Sequence, residues 1–259
     1  MLMKFTVENL EIYLLVLIRI SAFIMAAPIF SYSTIPRNVK VAISFFLTVI
    51  VIGFLPATSL EYNGVIGYSV LILKETVAGI VMGYLASVCV YIVNFAGQLI
   101  DMEMGFSMAS SFDPTTNIQS TISGSFYMYM VMLTMIVTNM HHYLIRAIVD
   151  SFRYFSVGEA MIGDNAKNVL LDFMPNFFVI AFRIILPVFA SMLIVNIVLG
   201  TLSKAAPQMN MFVIGMQLKV IVGLLVMVIM VETIPTVTDF IFSQMKDILT
   251  DIIRAFTPT

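Results

Sequence analysis

Asp101, Glu103 and Asp113 fall within residues 97–114, a stretch where carboxylates, methionines and glycines gather in an otherwise oily chain. Three acids so close raise metal binding first. Asp101 and Glu103, however, are two apart and point to nearly opposite faces of a helix, so one site built from all three needs a non-helical segment. No histidine cluster accompanies them. His141 and His142 are adjacent, face different directions on a helix and read as a helix-end pair, not as zinc ligands. Ser107, Ser110 and Ser111 have no histidine or lysine at an activating spacing, and neither a phosphate-cradling glycine loop nor a catalytic acid pair is present. The expectation is a protein that is no enzyme, holds no metal and needs no cofactor, any ATP hydrolysis belonging to another protein.

The elements that must position these residues are hydrophobic helices. With 60% apolar and 11% charged residues, the 259-residue chain lies far from the roughly 45–50% and about 25% of soluble domains. This is the composition of an integral membrane protein, and its mean hydropathy of +1.02 agrees. A formal charge of −2 without a basic stripe excludes nucleic acid as a partner and leaves membrane lipid as the surroundings. Apolar runs that approach a bilayer-crossing length cover about Leu10–Phe30, Val39–Leu55, Val65–Phe95, Phe126–Thr138, Phe177–Leu199 and Met211–Val231. Hydropathy alone gives four to six crossings, because apolar helices can also be covered by other subunits. Arg19 argues against a cleaved signal ending at Ala26-Ala27-Pro28 and for a retained first helix. The fold expected is all-α, one domain over 1–259, closed by an amphipathic helix over 236–256 that could dock on a partner, on the membrane surface or on its own bundle.

Charged groups at membrane depth cost roughly 2.5–3.5 kcal/mol each, so Arg19, Lys74, Glu75, Arg183, Lys204, Lys219 and Glu232 need partners. Pairing between helices or subunits is the plainer reading, a proton or ion relay the sharper one. Lys74 and Glu75 diverge on a helix and must look to different neighbours. Cys89 reads as a small buried hydrophobe. Gly79 and Gly83, and likewise Gly53, Gly200, Gly215 and Gly223, suit close helix packing. Gly97 and Gly105 bracket the acidic stretch ahead of Pro114, and Gly200 and Pro207 flank Lys204, so both places read as broken segments that line a pore or a subunit seam. Met102, Met104 and Met108 at the first, with Met209, Met211 and Met216 at the second, could line an adaptable constriction or simply fill irregular core space.

Residues 97–107 through Asp113-Pro114, then Asn139, His141 and 149–152, then 199–215 with Pro207, Gln208 and Phe212, resemble the FliR family of flagellar export-gate proteins; Arg19 to Phe23, Ala27-Pro28 and Pro36 fit as well. The resemblance covers almost the whole chain in order. It implies polytopic helical hairpins with broken helices, set side by side with FliP-type and FliQ-type subunits in a helical, closed gate. The gate would stand in the cytoplasmic membrane at the base of the bacterial flagellum, with a separate FlhB-type neighbour because no such domain is appended here. It would pass unfolded flagellar proteins of the type III export pathway, flagellar being favoured over injectisome. It further implies that residues 106–122 form a plug, with Phe106, Met108 and Phe112 as apolar gate contacts beside Asp113 and Pro114. Asp101 and Glu103 are more acidic, and Lys219 more charged, than the family usually shows. The rival reading is a secondary transporter in which Asp101, Glu103 and Lys204 bind a solute or proton, although no inverted repeat is visible.

Overall fold

The computed structural model describes residues 7–55, 60, 62–106, 121–161, 163–208 and 210–257. Eight α-helices carry them: α1 (Val7–Ala26), α2 (Arg37–Ile52), α3 (Gly64–Met104), α4 (Ile122–Val137), α5 (Met140–Tyr154), α6 (Asp164–Ala205), α7 (Met211–Met230) and, after a 3-10 turn over Val231–Thr233, α8 (Ile234–Ala255). No strand occurs among the described residues.

The chain clusters into two compact units, the first made of residues 1–89, 136–174 and 242–259 and the second of 90–135 and 175–241. In the first, Leu15, Val16, Ile20, Phe23 and Ile24 of α1 are all buried, and the backbone of Phe23 lies against Gly79 and Gly83 of α3. A Cβ on Gly83 would stand 2.6 Å from the Phe23 carbonyl and 2.8 Å from Ala26 Cβ, and one on Gly79 would meet the Arg19 carbonyl. The missing side chains therefore let two helix backbones touch, as small residues four apart commonly do. Ser87 Oγ donates to the Ala26 carbonyl at the same seam. Pro28 and Pro36 keep the chain from running on as helix before α2 begins at Arg37.

The amphipathic C-terminal helix resolves the three-way expectation in favour of the protein's own bundle. Ile241, Met245, Leu249 and Ile252 of α8 are fully buried within the chain, while Asp239, Asp247 and Asp251 face outward. In the first unit α5 buries a stripe of Met140, Leu144, Ala147, Ile148, Ser151 and Phe152 at helical spacing, and its Tyr143 hydroxyl donates to the Lys246 carbonyl of α8 at 3.5 Å. The Met161 amide donates to the Phe256 carbonyl at 3.0 Å, and the Phe155 and Phe256 rings pack edge to face at 5.9 Å.

Within the second unit, Phe95 of α3 packs its ring against Phe177 and Phe178 of α6 at 5.8 and 5.9 Å. Met104 of α3 fills the space over Gly223 of α7, where an added Cβ would come within 2.5–2.8 Å of its side chain. Ser123 and Tyr127 of α4 donate to the thioether sulfurs of Met227 and Met230. At these positions methionine serves as adaptable core filling.

Three helical stretches, 64–104, 164–205 and 212–255, are long and apolar enough to cross a membrane, and a fourth span arises if α4 and α5, bent by 70°, count together. Three falls below the four to six read from hydropathy, and only with the bent pair counted does the number reach four. α2, at 16 residues, reaches only about 24 Å at 1.5 Å per residue, short of the ~30 Å hydrocarbon layer. The windows differ in cover: 67% of the α3 window is buried inside the chain, against 39% for α6 and 17% for the stretch that starts with α7. Phe178, Phe182, Leu186, Ile194 and Ile197 of α6 and Leu225, Val228 and Ile229 of α7 stand exposed. Apolar surface on that scale calls for lipid or another subunit to cover it.

Candidate functional site

The acidic stretch does not break where its first glycine suggested. α3 runs unbroken through Gly97 to Met104, since a glycine inside a helix costs only about 1 kcal/mol relative to alanine and keeps its backbone hydrogen bonds. Gly97 is instead a crossing point: a Cβ there would fall on the Cα and N of Gly124 in α4. Four residues on, and so on the same face of α3, Asp101 is 5% exposed and accepts the backbone N–H of Ser123 at 3.2 Å. Glu103 points elsewhere and is half-buried. The helix ends at Gly105, whose φ of +85° is a left-handed conformation natural to glycine. Phe106 is half-buried. Met108, Phe112, Asp113 and Pro114 lie outside the described residues, as does the rest of 107–120.

The second motif is likewise helical where a break was expected. α6 continues through Gly200 to Ala205, and the next helix begins at Met211. An added Cβ on Gly200 meets nothing described within 4 Å, so close packing inside the chain is not its role; Gly53, near the Ile50 carbonyl, caps the C-terminal end of α2 instead. Gly215 and Gly223 do fit the packing reading, against Leu199 and Met104. Lys204 is exposed in the last turn of α6, where a cation complements the helix dipole. Gln208 is exposed, Pro207 stands in the same connection, and Phe212 is exposed on α7. No ion pair joins Asp101, Glu103 and Lys204 among the described residues, and no group of three or more metal-ligating side chains occurs there.

Arg19 and Glu75 form a buried ion pair in the first unit, both side chains being fully enclosed. The guanidinium Nη2 donates to Glu75 Oε1 at 2.9 Å and Nε donates to Oε2. Further Arg19 donors reach Ser151 Oγ and the carbonyls of Phe155 and Ser156 at 3.3–3.4 Å, and the Gly158 amide donates to Glu75 Oε1 at 2.7 Å. Phe152 and Phe155 rings stand 4.0 and 4.1 Å from the guanidinium carbon, adding cation–π attraction. Such full satisfaction is what a buried charge pair requires. Lys74 and Lys219 are half-buried without an ion-pair partner among the described residues, and exposed Arg183 stands 5.9 Å from the Phe240 ring.

Reasoning from sequence flagged the charges and missed their partners. Ser123 and Gly124 went unremarked, although the Thr121-Ile122-Ser123 start of an apolar run is a helix-capping composition. Ser151 and Phe152 were noticed only as part of a motif. The adjacent histidines do not point apart as expected: their rings lie 4.2 Å from each other in the first turn of α5, just after Asn139 adopts the left-handed φ of 57°.

A family model described as "Bacterial export proteins, family 1" matches residues 10–245. The chain is 33% identical to the flagellar biosynthetic protein FliR of Bacillus subtilis over 247 residues, which cover 93% of this chain and 94% of that protein. It is similar at 30% identity to the Buchnera aphidicola (Acyrthosiphon pisum) protein of the same name, covering 92% and 89%, and at 29% to that of Escherichia coli K12, covering 94% and 93%.

Proposed function

The chain belongs to the bacterial export proteins, family 1, and from that premise we propose that it is a subunit of the flagellar type III export apparatus, part of the closed conduit through which unfolded flagellar proteins leave the cytoplasm. The observation that carries this reading is the match along nearly the whole chain to flagellar biosynthetic proteins named FliR. The uncovered apolar faces of α6 and α7 support it, because side-by-side subunits would bury them. FliP-type and FliQ-type subunits are the partners proposed for those faces, an FlhB-type protein a further neighbour, and the inner membrane at the flagellar basal body the site of assembly. Residues 106–122 are proposed as the plug of the conduit, with Phe106, Met108 and Phe112 as its apolar contacts. The comparisons lend the transporter reading no support.

Deleting residues 106–122 in the assembled apparatus is the test. An unplugged conduit conducts ions, so the membrane becomes leaky, as followed by membrane potential or proteoliposome conductance. A membrane that stays tight while uptake of one defined solute disappears refutes the reading in favour of a transporter.

A further inference from the structure

We propose that Asp101 is a positioning residue for the segment after α3: its carboxylate holds the first turn of α4 against the last turns of α3 and thereby fixes how far apart the two ends of the 107–120 connection stand. Three observations carry this. The first four N–H groups of a helix have no partner inside it and are usually satisfied by the side chain of the residue just ahead. Thr121 occupies that place before α4, yet its buried hydroxyl has no hydrogen-bond partner among the described residues. The amide of Ser123, second residue of α4, is satisfied instead by Asp101, 22 positions away on another helix and nearly enclosed. A carboxylate at that place also meets the positive end of the α4 dipole.

The third observation is steric. Gly97 and Gly124 bring the backbones of α3 and α4 together with no room for a Cβ. Gly97 and Asp101 are four apart and share one face of α3, while Ser123 and Gly124 are neighbours in the first turn of α4. The start of α4 is thus pinned at two points, one by contact and one by a charge-assisted hydrogen bond. A single contact would leave α4 free to pivot; two remove that freedom. The anchoring does not rest on the plug reading above.

The test uses the full chain assembled with its export-apparatus partners, with Cys89 replaced by alanine and nitroxides on cysteines introduced at the exposed positions Met102 and Ile122. The distance distribution between the labels is expected to be narrow with Asp101 in place and roughly twofold broader in Asp101→Leu, as local opening is released. Asp101→Asn, which keeps an acceptor oxygen at the same point, stays narrow. Ser123→Pro removes the donor at a helical position where proline is tolerated and broadens the distribution, whereas Ser123→Ala keeps the amide and does not. An unchanged width in both Asp101→Leu and Ser123→Pro overturns the proposal, as does a width in Asp101→Asn equal to that in Asp101→Leu. The ion leak of the 106–122 deletion bears on the plug and the label widths on the anchor, so either can fail alone.

Discussion

Replacing Glu75 by leucine should destabilise the first unit severely, and the structure says by how much. Glu75 accepts two guanidinium bonds from Arg19 and the Gly158 amide. Its loss leaves a fully enclosed cation facing only Ser151, two backbone carbonyls and two aromatic rings, without a counter-charge. Breaking a buried pair from one side costs about 3–5 kcal/mol, and the orphaned Gly158 N–H about 1–3 kcal/mol more, not strictly additive. Removing both charges in Arg19→Leu/Glu75→Leu leaves the Gly158 amide unpaired but strands no ion, so the double variant should be more stable than Glu75→Leu alone. Thermal unfolding of the complex purified in mild detergent reads this out: at about 2–4 °C per kcal/mol, Glu75→Leu should melt at least roughly 6 °C lower. A Glu75→Leu protein as stable as the parent, or a double variant no more stable than Glu75→Leu, refutes the reasoning.

Three further perturbations probe the packing. Gly83→Leu would push a side chain into the Phe23 carbonyl and Ala26, and should cost at least about 1–3 kcal/mol in the same melting assay. Gly200→Ala, in open space on a helix, should be neutral or stabilising by up to about 1 kcal/mol if no partner subunit packs there, and a marked loss of assembly on co-purification would place a neighbour at that spot. Leu249→Ala, at a fully buried position on α8, should cost about 2–5 kcal/mol, and a loss below about 1 kcal/mol would mean that α8 does not cap the first unit.

What the sequence disclosed, and where it fell short, follows from the range of each interaction. Apolar runs and proline punctuation are local, and they placed five of the helices within a few residues, whereas α3 runs nine residues past Phe95 and α6 begins thirteen residues before Phe177, where the greasy run alone marks no end. α5 was missed as an element because its stripe is amphipathic and carries Arg146, Asp150 and Arg153, so a search for uniform greasiness passes over it. Gly97 and Gly200 look alike in sequence; one has a backbone neighbour 27 residues away and the other has none, and no local pattern could separate them. Arg19 and Glu75 were each recognisable as charges that need a partner, but they stand 56 positions apart and periodicity does not encode which pairs with which. The three uses open to the C-terminal amphipathic helix were equivalent by pattern, and only the burial of Met245 and Leu249 within the chain chose among them. For the proposed plug, the sequence offers only the resemblance, and the described residues reach it at Phe106 and resume at Thr121.

The ligands of Arg19 also set a timetable for biogenesis. Its last backbone acceptor, Ser156, is 137 residues downstream, which at about 5–20 residues per second is roughly 7–27 s of translation. For that interval the first helix leaves the ribosome as a cation whose cradle has not yet been made. It must wait where water, lipid phosphates or an insertion factor can solvate it, and can sink to its final depth only once Glu75 and the turn after α5 arrive. The order of synthesis thus makes the amino-terminal helix among the last to settle.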